Sequence, residues 1–154
     1  MSISANATTV SSLSPYITVQ NAAEAIEFYV AAFGATEVFR LIDPSDGRIG
    51  HAEIVIGGTT IMLSDEYPDF GALSPETVGG SPVKFQIYVE DVDAAFSAAV
   101  TQGAAEIRPV KDQFFGDRSG MLVDPFGHSW TLASKRESVS PAEMQKRWNE
   151  SMAG

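Results

Sequence analysis

His51 and Glu53 stand two positions apart in a run of alternating residue type, so on a strand both side chains project to one face. An imidazole beside a carboxylate can hold or pass a proton, and the pair can begin a metal site. Zinc and iron usually take three protein groups, so two ligands at this spacing are half a site. Without a metal the pair is expected to hydrogen-bond with each other, with Lys84 or with a ligand. In a catalytic reading Glu53 is the candidate base, His51 an acid or ligand, and Lys84 a cation able to steady an oxyanion. Phe114-Phe115, followed by Asp117-Arg118, places an aromatic face near a guanidinium. That pairing can grip a planar or acidic guest, or serve as a hydrophobic latch or dimer contact. His128, next to Gly127, reads as a turn residue. The carboxylate pairs Asp65-Glu66 and Glu90-Asp91 fall at strand ends, where solvation or a helix start accounts for them. There is no glycine-rich phosphate loop, no Gly-x-Ser-x-Gly elbow and no cysteine, which removes thiol chemistry and Cys-based metal sites.

The elements that must position these groups occur twice. Ile17-Thr18-Val19, a helical stretch and Gly34-Ala35-Thr36-Glu37-Val38 return as Ile87-Tyr88-Val89, a helical stretch and Gly103-Ala104-Ala105-Glu106-Ile107. The hairpin from Ile54 to Leu63 returns from Val123 to Leu132. Subtraction gives an offset of 70 at the first strand (87 − 17) and 69 afterwards (103 − 34), the mark of one duplicated unit. In the first copy Asn21 and Glu24 open a helix that carries Ala22, Ile26, Tyr29, Val30 and Phe33 inward, and Gly34 closes it. A strand over 36–42, a Pro44-Ser45-Asp46-Gly47 turn and a hairpin through Gly57-Gly58 complete βαβββ. Residues 1–13 read as a tail, 14–64 as the first module, 65–82 as a linker, 83–134 as the second module, and 135–154 as a terminal helix and tail. A linker of that length often covers a site or crosses to another subunit. Ser140, Pro141 and Glu143 open the last helix.

Alternation sorts the strands. Ile17, Val19, Ile54, Ile56, Ile61, Leu63, Phe85, Ile87 and Val89 suit the helix-covered face. Ser14, Tyr16, Thr18, His51, Glu53, Thr60, Met62 and Ser64 take the other face in the first module. Lys84, Gln86, Tyr88, Leu122, Ser129 and Thr131 take it in the second. A face mixing hydroxyl, amide, aromatic and ionisable groups suits a curved ligand cleft, although a solvated antiparallel sheet shows the same mixture. The duplication favours the cleft.

Bulk composition narrows the partners. The chain has 154 residues and a formal charge of −10, which disfavours nucleic acid and anionic membrane surfaces. It mildly favours cationic or neutral ligands. No apolar run reaches a membrane span and the first residues lack a secretory pattern, so a cytoplasmic protein is expected.

The strand-to-helix entry Tyr88-Val89-Glu90-Asp91-Val92-Asp93-Ala94-Ala95-Phe96 and the hairpin Val123-Asp124-Pro125-Phe126-Gly127-His128 resemble the vicinal-oxygen-chelate superfamily of glyoxalase I, bleomycin-resistance proteins and extradiol dioxygenases. Asp112 through Arg118 and Val139 through Met144 are similar to its PhnB-like branch. The resemblance implies an α+β fold of two tandem βαβββ modules forming a curved mixed sheet with an open cleft. It also implies divalent-ion ligands from the first and last strand of each module, at positions that hold Ser14, Met62, Lys84 and Thr131 here. Lysine repels a cation and a thioether is too soft for Mg, Mn or Fe, so no metal or other cofactor is expected. The reading is a homodimeric protein holding a small organic ligand in the cleft between the modules, of the drug-sequestering kind, against Ser14, Tyr16, Thr18, His51, Glu53, Met62, Lys84, Gln86, Tyr88, Phe115, Arg118 and Thr131. Its alternative is a metal-dependent isomerase, lyase or dioxygenase with a relocated site at His51 and Glu53. A scaffold that only dimerises is the third reading.

Overall fold

The computed structural model describes residues 12–153, so the expected tail lies outside it up to residue 11. The first module runs β1 (Tyr16–Val19), α1 (Ala22–Phe33), β2 (Thr36–Ile42), β3 (Ile49–Ile56) and β4 (Thr59–Asp65). α1 begins where the Asn21 side chain accepts the Glu24 N–H, and it ends at Gly34, whose φ of 70° is the left-handed turn a glycine makes without strain. The sheet order is β1-β4-β3-β2, with β1 parallel to β4 and the other pairs antiparallel. A parallel pair needs a crossover, and α1 supplies it over one face. Ile17, Val19, Ile54, Ile56, Ile61 and Leu63 are all buried there. Val30, expected inward, is 45 % exposed. The buried stripe of α1 instead extends to Phe28, because Phe126 of the second module packs on that side.

The connecting stretch folds back as a Tyr67–Ala72 bridge, a 3-10 turn (Pro68–Phe70) and a short helix α2 (Pro75–Val78). The second module follows as β5 (Lys84–Tyr88), α3 (Val92–Thr101), β6 (Ala105–Asp112), β7 (Asp117–Val123) and β8 (Ser129–Lys135). Its order, β5-β8-β7-β6, repeats the first sheet. A terminal helix α4 (Pro141–Ala153) closes the chain. One edge strand of each sheet, β2 in the first and β6 in the second, pairs with its neighbour through two register shifts.

One face assignment is corrected. Leu122 pairs with Trp130 and is fully buried under α3, not on the open face. Glu53 pairs with Met62 and Met121 pairs with Thr131, so β8 keeps the offset of 69 (131 − 62) while β7 has 68 (121 − 53). The turn from Val123 to Ser129 is one residue longer than that from Val55 to Thr60, and a one-residue slip inverts every side chain before it.

The modules meet through their helix-covered sides. α1 packs on α3, Phe33 lies 4.6 Å from the Trp130 ring, and the buried apolar residues of both halves form one cluster. Asp124, 3 % exposed, fastens the junction: its Oδ2 accepts the Tyr29 hydroxyl at 2.6 Å and the Trp130 indole N–H at 2.8 Å. Its Oδ1 accepts the Phe126 and His128 amides at 2.9 and 3.0 Å. Hydrogen bonding keeps the two four-stranded sheets separate.

Candidate functional site

On the open face of the first sheet, β1 and β3 flank β4 and bring three polar side chains into line. The Tyr16 hydroxyl lies 2.8 Å from His51 Nδ1, and His51 Nε2 lies 3.0 Å from Glu53 Oε2. Glu53 is buried beneath His51, whose ring sits between those of Tyr16 and Phe39 at 5.4 and 5.7 Å. Desolvation is the main cause that raises the Tyr16 pKa; the Glu53 charge adds to it and Ser64 opposes it, so the phenol keeps its proton at neutral pH. The sequence-level expectation that His51 and Glu53 touch holds in the geometry, and Tyr16, not Lys84, is the third member.

Tyr16 and His51 of this line form one end of a hollow of about 550 Å³ walled by Leu41, Ile42, Tyr67 and Phe70. The connecting stretch builds the far wall. Tyr67 donates to Asp43 at 3.0 Å, and the Arg48 guanidinium stands 3.9 Å above its ring, which fixes the tyrosine beside β2 and β3. Those four wall residues were missed from sequence. Their only local signal is the adjacent apolar pair Leu41-Ile42, which breaks the alternation just before the Asp43-Pro44 turn.

The other candidates are divided. Met62 lies between Tyr16 and Glu53 in register. The Ser14 hydroxyl is buried without a partner, and the Thr18 carbonyl accepts the His128 ring N–H at 3.0 Å across the module junction. In the second module Gln86 and Thr131 are register partners and, with Phe115, Arg108 and Lys111, border a separate hollow of about 440 Å³. Gln86 donates to Tyr88, which donates to Asp117 at 2.8 Å. Lys84 is exposed on the edge strand β5. Arg118 is not brought to either open face. It shares a side with Gly120 and Leu122 and binds Asp93 of α3 at 2.9 Å and Asp112 at 3.2 Å. Phe114 packs edge-on against Trp148 of α4, which makes that aromatic pair a latch for the last helix.

Ser14, Met62, Lys84 and Thr131 offer two hydroxyls, a thioether and an ammonium, a donor set that does not fit a hard divalent ion. At His51 both ring nitrogens are already engaged, so coordination there would displace Tyr16 or Glu53. Among the described residues no three His, Asp or Glu side chains are grouped to hold a metal.

Comparison with known proteins agrees with this architecture. The profile of the Glyoxalase/Bleomycin resistance protein/Dioxygenase superfamily matches residues 9–132. An uncharacterized protein of Mycobacterium bovis is 43 % identical over 136 residues, spanning 86 % of this chain and 89 % of that protein. A solved gene product of Arabidopsis thaliana has a TM-score of 0.64 at 26 % identity, covering 80 % of this chain and 98 % of that one. A PhnB protein from Bacillus cereus has the same fold, with a TM-score of 0.64 at 21 % identity over 80 % of this chain and 99 % of that one.

Proposed function

The chain belongs to the Glyoxalase/Bleomycin resistance protein/Dioxygenase superfamily, and from that premise we propose that it binds a small, largely apolar organic molecule in the first module's hollow without the family's divalent ion. The observation that carries this reading is a concavity of about 550 Å³ whose walls are apolar and whose one end is formed by Tyr16 and His51, the latter backed by Glu53. Ligand sites of that size usually combine apolar walls with a few placed polar groups. Leu41, Ile42 and Phe70 are 59 %, 52 % and 87 % exposed, so a guest seated on them removes apolar surface from water. The same surface suits a second copy closing over the hollow, and the reading takes the protein as a cytoplasmic homodimer. The alternative, a metal-dependent isomerase, lyase or dioxygenase centred on His51 and Glu53, is favoured by the proton-passing geometry alone and requires one ring nitrogen to be freed.

The test is thermal unfolding with a panel of planar aromatic compounds, and separately with Zn, Mn, Ni and Fe salts. A bound guest at 100 times its Kd stabilises the fold by about 2.7 kcal/mol. Stabilisation by aromatic compounds, unaffected by chelator, is expected. A stoichiometric metal with no response to any organic compound would overturn the reading.

A further inference from the structure

We propose that the guest of the first hollow carries a weakly acidic hydroxyl on a planar apolar body, and that the Tyr16–His51–Glu53 line takes up the proton of that hydroxyl. This rests on the hollow being the binding site. Its direction follows from which atoms can donate. A Glu53 carboxylate has no hydrogen to give, so the His51 Nε2 that faces it at 3.0 Å carries one. Nδ1 is then an acceptor, and the Tyr16 hydroxyl at 2.8 Å donates to it. The single phenol hydrogen is thereby used, and Tyr16 turns only lone pairs toward the hollow. What the hollow asks for at that end is a donor.

A guest hydroxyl placed there can do more than hydrogen-bond. Its O–H bond breaks as its proton passes to Tyr16 Oη, while the original Tyr16 proton passes to His51 Nδ1. Tyr16 remains a phenol, now donating to the guest's oxyanion, and His51 becomes an imidazolium. Both bonds made by the Tyr16 oxygen survive with their direction reversed, the His51 Nε2–H still donates to Glu53, and no further reactant is consumed. The Glu53 carboxylate stabilises the imidazolium, as the carboxylate of a hydrolytic triad does. Tyr16 itself does not become the stored anion, because desolvation and the Glu53 charge hold its proton on. The remaining neighbours do not compete: Ser64, which lines the same end, gives its hydroxyl hydrogen to the Asp65 carbonyl at 2.9 Å. Phe39 on β2 is apolar, the Asp43 carboxylate is taken by Ser45 and the Tyr67 hydroxyl, and Arg48 is committed to Asp46 and the Glu66 carbonyl. The line thus reads as a proton acceptor for phenols and enols.

The experiment uses 4-nitrophenol, whose phenolate is yellow and whose phenol is not, with 4-nitroanisole as a partner of similar shape lacking the acidic hydrogen. At one pH unit below the probe's own pKa about a tenth of free probe is ionised. Equilibrium dialysis measures binding and absorbance measures ionisation of the bound fraction. The expected result is bound 4-nitrophenol more than half ionised, and 4-nitroanisole bound about tenfold more weakly, the worth of roughly one hydrogen bond. Tyr16→Phe and His51→Gln should still bind both compounds, in each case without the colour. Tyr16 is half exposed, so Tyr16→Phe is expected to fold. Binding of 4-nitrophenol in the colourless form, binding of the anisole alone, or colour persisting in Tyr16→Phe would overturn the proton transfer and leave the hollow's role standing. Failure of both compounds to bind would count against both.

Discussion

Replacing Tyr29 by Phe removes one oxygen from the junction between the modules. Tyr29 is fully buried, and its hydroxyl reaches Asp124 Oδ2 at 2.6 Å, the shortest of the four bonds that carboxylate accepts. The Trp130, Phe126 and His128 donors stay in place, so no other buried group is left unpaired. The loss is that of one hydrogen bond to a charged acceptor, about 1.5–3 kcal/mol. For a chain of this size each kcal/mol moves Tm by about 2–4 °C, giving a drop of roughly 3–12 °C. Urea unfolding followed by tryptophan fluorescence reports it, because Trp130 sits in the same cluster. The m-value should be unchanged, since the mutation exposes no new surface on unfolding. A loss below about 0.5 kcal/mol would show that Asp124 is sufficiently satisfied by its other donors. The claim that Tyr29 binds the modules together would then be wrong.

Alkali should act on the same residue. Burial, with the Asp124 charge and hydrogen bond adding to it, pushes the Tyr29 pKa well above its ordinary 10.0. The unfolded chain therefore releases that proton first, and stability present below pH ~10 falls as pH rises further. Urea midpoints in Tyr29→Phe should fall less steeply there than in the parent chain. Gly120→Ala is expected to cost about 1–3 kcal/mol by overpacking. Its Cβ would stand 2.9 Å from Phe96 Cε2 and 3.0 Å from the Val110 backbone nitrogen, a clash readable as a lower urea midpoint. Leu41→Glu, at a position 59 % exposed, should leave stability within about 0.5 kcal/mol yet abolish the ligand-induced rise in Tm.

The architecture was legible because the duplication wrote it twice. Caps at Asn21 and Gly34 and the alternation of Ile54, Ile56, Ile61 and Leu63 place the helix and hairpin without tertiary information. Leu122 was misplaced because a repeat aligned on letters carries one offset through a hairpin whose turn has gained a residue. Register is set by pairing, and pairing counts that residue. Arg118 lies on the same strand and is likewise turned to the helix side. At the site, the common face of His51 and Glu53 followed from their spacing. Their link to Tyr16, 35 residues away, depends on β4 lying between β1 and β3. Tyr67 and Phe70 reach the hollow only because the connecting stretch folds back on its own module, and no periodicity within that stretch encodes this.

The broken register of β2 and β6 bears on solubility. An outermost strand offers a row of free amides and carbonyls on which further chains can stack. Bulges twist such an edge out of line, and β6 adds Pro109, which has no N–H, between Arg108 and Lys111. With 44 % hydrophobic residues the chain has much to lose from edge-to-edge association, and β2 and β6 are two of its four sheet margins at which such growth is interrupted.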